Sequence, residues 1–197
     1  MIHDGYWQND LDSYANKILY WKRKINKLET LGIFYGNKDY DIACHRLTQA
    51  IFISAAIIRK IVEEENEFLA IAKKYNNAFK ENKQVTNDFY VLFNFQITTY
   101  KLELKKEEII DYYKTFFGDY CVKDYGLALN AKNSFLLKDV CNWIIHSYVW
   151  SLGDLQDERK ISGFFVSSDR DKVKYCNYIN IDDWAKALKH CAKNAYL

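Results

Sequence analysis

The stretch Ser134-Phe-Leu-Leu-Lys138-Asp-Val-Cys-Asn142-Trp-Ile-Ile-His146-Ser-Tyr-Val-Trp150-Ser-Leu152 decides how the chain is read. It is strongly apolar, carries no proline, and ends at Gly153. Read at a period of 3.6, it is a helix from about Ser134 to Leu152. Asn142 and His146 then stand one turn apart on one face, with Asp139 extending the polar stripe. Polar groups inside an apolar helix are costly to bury unless they are hydrogen-bonded. Three uses of the stripe stay open: a satisfied buried network that fixes helix register, an exposed face, or a working site. In a working site His146 would be an acid/base or ligand-contacting imidazole, and Asn142 would orient a substrate group.

Working outward, further segments carry helical periodicity. From about Asp10 to Leu31, the residues Leu11, Tyr14, Ile18, Trp21, Ile25 and Leu28 recur at alternating spacings of three and four. From Asp39 to Glu65, Ala43, Leu47, Ala50, Ser54, Ile57 and Ile61 form an inner stripe, and helical pattern runs on from Glu67 to about Lys80. Another helix is expected from Lys105 to Phe117. Between Asn87 and Leu104 the pattern alternates through Phe89, Val91, Phe93, Phe95 and Ile97, which suits a strand. Gly163 to Ile179 holds two β-prone runs around Asp169-Arg-Asp-Lys172 and reads as a hairpin. A final helix is expected over 181–195, with Asp182 and Asp183 in its first turn, where carboxylates complement the helix dipole. Together these readings predict one domain over 1–197. It is mainly α, a helical bundle with a small antiparallel β-hairpin near the C-terminus.

The composition narrows function by exclusion. The 197 residues carry 28 basic and 26 acidic side chains, a formal net charge of +2. A general polyanion binder would show a much larger basic excess. The Lys22-Arg23-Lys24 cluster with Lys27 reads as a solvated helix face, with contact to a polyanion as the alternative. No uninterrupted apolar run approaches the about 18 residues of a membrane span, and the N-terminus does not resemble a signal peptide. A cytoplasmic protein without a membrane segment is expected. Cys44, Cys121, Cys141, Cys176 and Cys191 are odd in number, widely spaced and without a CxxC pair. They are read as unbridged buried thiols that bind no zinc. No P-loop, GxGxxG, GxSxG or HExxH occurs, and no cofactor is expected.

The Asn142–His146 pair, together with the helix around Ser54-Ala-Ala-Ile-Ile-Arg59-Lys-Ile-Val-Glu63, resembles the core motif of HEPN-type helical domains. That motif is an Arg, often followed directly by a polar residue, then a His a few positions on. Here Asn142 and His146 match, whereas Cys141 stands where the Arg would be. The resemblance implies a homodimeric, RNA-interacting protein of a prokaryotic defence or toxin–antitoxin setting. It further implies a metal-independent ribonuclease, degenerate in lacking the motif Arg. Arg59 or Arg46 of the long helix would have to supply the missing cation. The alternative is a non-enzymatic helical module for dimerisation or for binding a protein partner.

Overall fold

In the computed structural model the described residues are 6–74, 96–104, 125–155, 160–170 and 175–194. They contain four helices: α1 (Tyr6–Thr30), α2 (Lys38–Lys74), α3 (Leu137–Ile145) and α4 (Ile181–Asn194). They also contain five strands: β1 (Gln96–Leu104), β2 (Tyr125–Leu136), β3 (Ser147–Gly153), β4 (Gly163–Ser168) and β5 (Tyr175–Asn180). The strands form one sheet in the order β2-β1-β5-β4-β3, with every neighbouring pair antiparallel. The chain is therefore a mixed α/β protein, and the mainly helical bundle with a lone hairpin is overturned.

The difference begins between Ser134 and Leu152, which is not one helix. It is the end of β2, the nine-residue α3, and the edge strand β3. The helix ends at His146, whose backbone turns to φ −104° and ψ 30°. Short apolar runs do not separate helix from strand by period alone. Here β4 supplies the ladder that makes Ser147–Gly153 a strand. β2 carries no Val, Ile or Thr, so its composition gives no strand signal. It is held by β1 through a register that shifts between Tyr100 and Leu102.

Other elements match their sequence patterns closely. The expected hairpin is present as the β4–β5 pair, with Phe164 opposite Ile179 and Phe165 opposite Tyr178, but it forms the middle of a larger sheet. In α1, Leu11, Ala15, Ile18 and Ile25 are buried, with Tyr14, Trp21 and Leu28 packed beside them. The whole expected stripe of α2, from Ala43 to Ile61, is buried. α2 runs on without a break to Lys74. By length and composition Lys38–Glu64 could cross a membrane, but half of its most apolar window is buried inside the molecule, so it is a core helix. Asn180 caps α4: its Oδ1 accepts the Asp182 N–H at 2.8 Å. The expected strand between Asn87 and Leu104 is described only from Gln96. The expected helix over Lys105 to Phe117 lies outside the described residues, as do Cys121 and the end of the Glu67–Lys80 helix.

The helices cover one face of the sheet. Phe164, Val166, Ile179 and Ile97 pack there against residues of α1, α2, α3 and α4. An aromatic chain ties the layers together. Phe52 of α2 meets Trp150 of β3 edge-on at 4.7 Å, Trp150 stacks on Phe164 of β4 at 5.0 Å, and Phe164 meets Trp184 of α4 at 6.2 Å. This chain fixes α2 relative to β3, and so fixes Arg59 relative to His146. On the other face Leu102, Val149, Phe165, Cys176 and Tyr178 form a second cluster.

Cys44, Cys141 and Cys176 are free and buried, and Cys191 is buried as well. Burial pushes the Cys44 thiol up to about 11 and the Cys176 thiol up to about 12, and it raises Cys141 well above the usual thiol range. A raised value leaves little of the reactive thiolate near neutral pH. Iodoacetamide at pH 8 is expected to leave Cys44, Cys141 and Cys176 unmodified in the native protein and to label them after unfolding, as read by peptide mass spectrometry. Fast native labelling of any of the three would contradict their placement.

Candidate functional site

α3 is amphipathic, and the spacing of its apolar residues sets which face turns inward. Leu137, Val140, Cys141, Trp143 and Ile144 turn inward. Asn142 and His146 are left exposed. The reading of this pair as a satisfied buried network is thus removed. The His146 N–H donates to the Asn142 carbonyl at 2.9 Å, closing the last turn of the helix. The imidazole thereby stands at the helix end, over an open groove of about 880 Å³.

The groove is walled by two helices and one end of the sheet. α2 contributes Arg59, and α3 contributes Asp139, Asn142, Trp143 and His146. The ends of three strands and the turn after β4 supply Phe135, Ser168, Asp169, Arg170 and Tyr175. Phe135 and Trp143 meet edge-to-face at 4.8 Å and give the groove an aromatic side.

The central contact joins two residues far apart in sequence. Arg59 Nη1 lies 2.8 Å from His146 Nε2. A guanidinium only donates hydrogen bonds, so Nε2 is the acceptor and the ring proton sits on Nδ1. Arg59 is held from its other side by Glu63, one turn along α2, with Nε to Oε1 at 2.8 Å. Glu63, Arg59 and His146 therefore form a short chain of contacts that ends in the groove at His146. At 36% side-chain exposure, Arg59 is open to a ligand.

Cys141, at the motif position where the resemblance would have an Arg, points into the core with no exposure. A guanidinium there could not reach the groove. The cation beside the imidazole comes instead from α2, eighty-seven residues away in sequence. Of the two candidate arginines, Arg59 is at the site, while Arg46 bonds Gln49 on the exposed surface of α2. The α1 basic cluster disperses. Lys22 is paired with Asp182 at 2.7 Å, Arg23 donates to the Leu19 carbonyl, and Lys24 lies over the Trp21 ring.

Sequence reasoning missed Asp169, Arg170 and Tyr175, which it read only as a turn and a strand start. Their signal is visible solely once β4 and β5 are placed beside α3. The wall carries two arginines against two aspartates, so it offers a localised cation rather than a basic trough. Among the described residues no group of three His, Cys, Asp or Glu side chains is arranged to hold a metal ion. No protein-family model, no curated protein and no solved structure matches the chain.

Proposed function

We propose that this chain is an RNA-interacting protein that takes a single-stranded phosphodiester into the α3 groove and cleaves it without a metal. The observation that carries the reading is the 2.8 Å contact between Arg59 and His146 at an open surface. A phosphate offers Arg59 a charge-assisted bond, stronger than the one it makes to a neutral imidazole. Arg59 turns from Nε2 to the phosphate, and the freed lone pair faces the incoming ribose. His146 Nε2 takes the 2′-hydroxyl proton as the 2′ oxygen attacks phosphorus. The bond to the 5′ oxygen breaks, that oxygen takes a proton from water, and the hydroxide left behind takes back the proton from His146 Nε2. The products are a 2′,3′-cyclic phosphate and a 5′-hydroxyl end. Arg59 stabilises the charge that builds on the phosphoryl oxygens, and Asn142 orients the ribose or phosphate. A cytoplasmic location belongs to the same reading.

The test is incubation of a single-stranded RNA with purified protein in excess chelator. Cyclic-phosphate products are expected. Binding should weaken only gently with salt, because two groove arginines neutralise few phosphates: a slope of about −1.4 or shallower in log affinity against log salt. Intact RNA together with no salt-sensitive binding would sink the reading.

A non-enzymatic interaction module is the second reading. It is favoured by the apolar side chains exposed around the turn from α1 to α2: Leu31, Phe34, Tyr35 and Ile42. Homodimerisation near the Asn142–His146 face is proposed with either reading. Light scattering across micromolar concentrations is expected to give twice the chain mass, and a constant monomer mass would remove the dimer.

A further inference from the structure

We propose that Asn177 is the base-reading residue of the groove, meeting one edge of an RNA base with its carboxamide, and that Thr99 adds a third polar contact. The inference rests on the proposed RNA binding and names what the groove selects.

Asn177 is completely buried in the central strand β5. Its Nδ2 and Oδ1 have no hydrogen-bond partner among the described residues, and neither has Oγ1 of Thr99, also fully buried. Buried side-chain amides are almost always paired, so an amide with both ends unpaired asks for an explanation. Its place in the sheet supplies one. Side chains two residues apart on a strand share a face. Asn177 therefore shares the helix-covered face with Ile179, which is core, and with Tyr175, which walls the groove. On β4 its partner is Val166, two residues before Ser168, another groove wall. On β1 its partner is Lys101, two residues from Thr99. Thr99 is thus the diagonal neighbour of Asn177 on the same face. Asn177 lies one step inward of the groove wall residue Tyr175, and Thr99 lies diagonally beyond it, so both sit beneath the covered face next to the groove rather than on its wall.

The chemistry suits a base. A carboxamide sets one donor beside one acceptor, the complement of a base edge such as N6 and N7 of adenine. Single-stranded RNA presents such edges splayed out and stacks its bases on aromatic rings. Tyr175, half-buried with Lys101 Nζ 4.5 Å from its ring centroid, stands between Asn177 and the open groove. In the proposed complex it turns aside to admit the base and offers its ring for stacking.

The experiment measures anisotropy of labelled A, C, G and U hexamers against wild type, Asn177→Leu and Thr99→Val, with melting temperatures on the same samples. Wild type is expected to prefer one base by on the order of tenfold. Asn177→Leu should bring the four affinities together, with an unchanged salt slope and a melting temperature that holds or rises, because an unpaired buried amide has been removed. Thr99→Val keeps the β-branched shape and should narrow the preference if the leucine variant does not fold. Equal wild-type affinity for all four hexamers, or an unchanged ranking in the folded variants, overturns the base-reading role and leaves the RNA reading standing. No binding of any hexamer overturns both.

Discussion

Replacing His146 by alanine is expected to slow metal-free RNA cleavage by about 10²–10⁴-fold, the usual contribution of a positioned acid/base. The melting temperature should move by no more than about 2 °C, because the imidazole is exposed and surface substitutions away from special features cost little. The hydrogen bond lost to Arg59 lies at the solvent and adds little to stability. Arg59→Lys should recover only a small part of what Arg59→Ala loses. An ammonium cannot offer the planar fork with which a guanidinium meets two phosphoryl oxygens. A large fall in melting temperature for His146→Ala, with cleavage per folded molecule unchanged, would mark the residue as structural.

The second large effect is on stability. Trp184→Ala is expected to destabilise the protein by about 3–5 kcal/mol, the range for deleting a buried large aromatic side chain. At this chain length that is a fall of roughly 6–20 °C in melting temperature. Trp184 is fully buried, meets Phe164 edge-on, and donates its Nε1–H to the Ser54 hydroxyl of α2 at 3.1 Å. Ser54 in turn donates to the Ile51 carbonyl at 2.8 Å. Deleting the indole removes packing and one buried hydrogen bond at the junction of α2, α4 and the sheet. Trp184→Phe should fall by less, since a phenyl ring keeps much of the packing against Phe164 while both variants lose the same bond to Ser54. A shift under about 2 °C for the alanine variant, read by calorimetry, would mean that α4 does not close this core.

How far the sequence could be read depended on what each element needed from its neighbours. α1, α2 and α4 were legible because each buries one face at helical spacing, and that period survives any choice of partner. The β4–β5 hairpin was legible from two β-prone runs around a polar turn. β2 was not, because Tyr125–Leu136 lacks β-branched residues and becomes a strand only through its pairing with β1. The change at His146 from helix to strand carried no glycine or proline to mark it, and only the ladder with β4 makes Ser147–Gly153 a strand.

The site was legible in part for the same reasons. The spacing of Asn142 and His146 placed them on one face, and α3 does present that pair together to the groove. Whether the face looked inward or outward could be read from the apolar spacing only once the ends of α3 were known, and no local signal gave those. Arg59 was one of two candidate cations on α2. Its selection over Arg46 needed the packing of α2 beside α3. Asn177 gave no signal at all, since an Asn within Tyr-Cys-Asn-Tyr-Ile179 shows its unpaired amide only when the sheet is assembled.

Arg59 and His146, held side by side by their hydrogen bond at rest, act as one unit on a single phosphodiester. This joint action is tested most directly by a double-mutant cycle on metal-free RNA cleavage, using wild type, Arg59→Ala, His146→Ala and the double variant, each at verified melting temperature. Residues that work as a unit are strongly non-additive, so the double variant should be about as slow as the slower single variant. Wild-type protein that leaves RNA intact, or two independent losses that multiply in the double variant, would contradict the account.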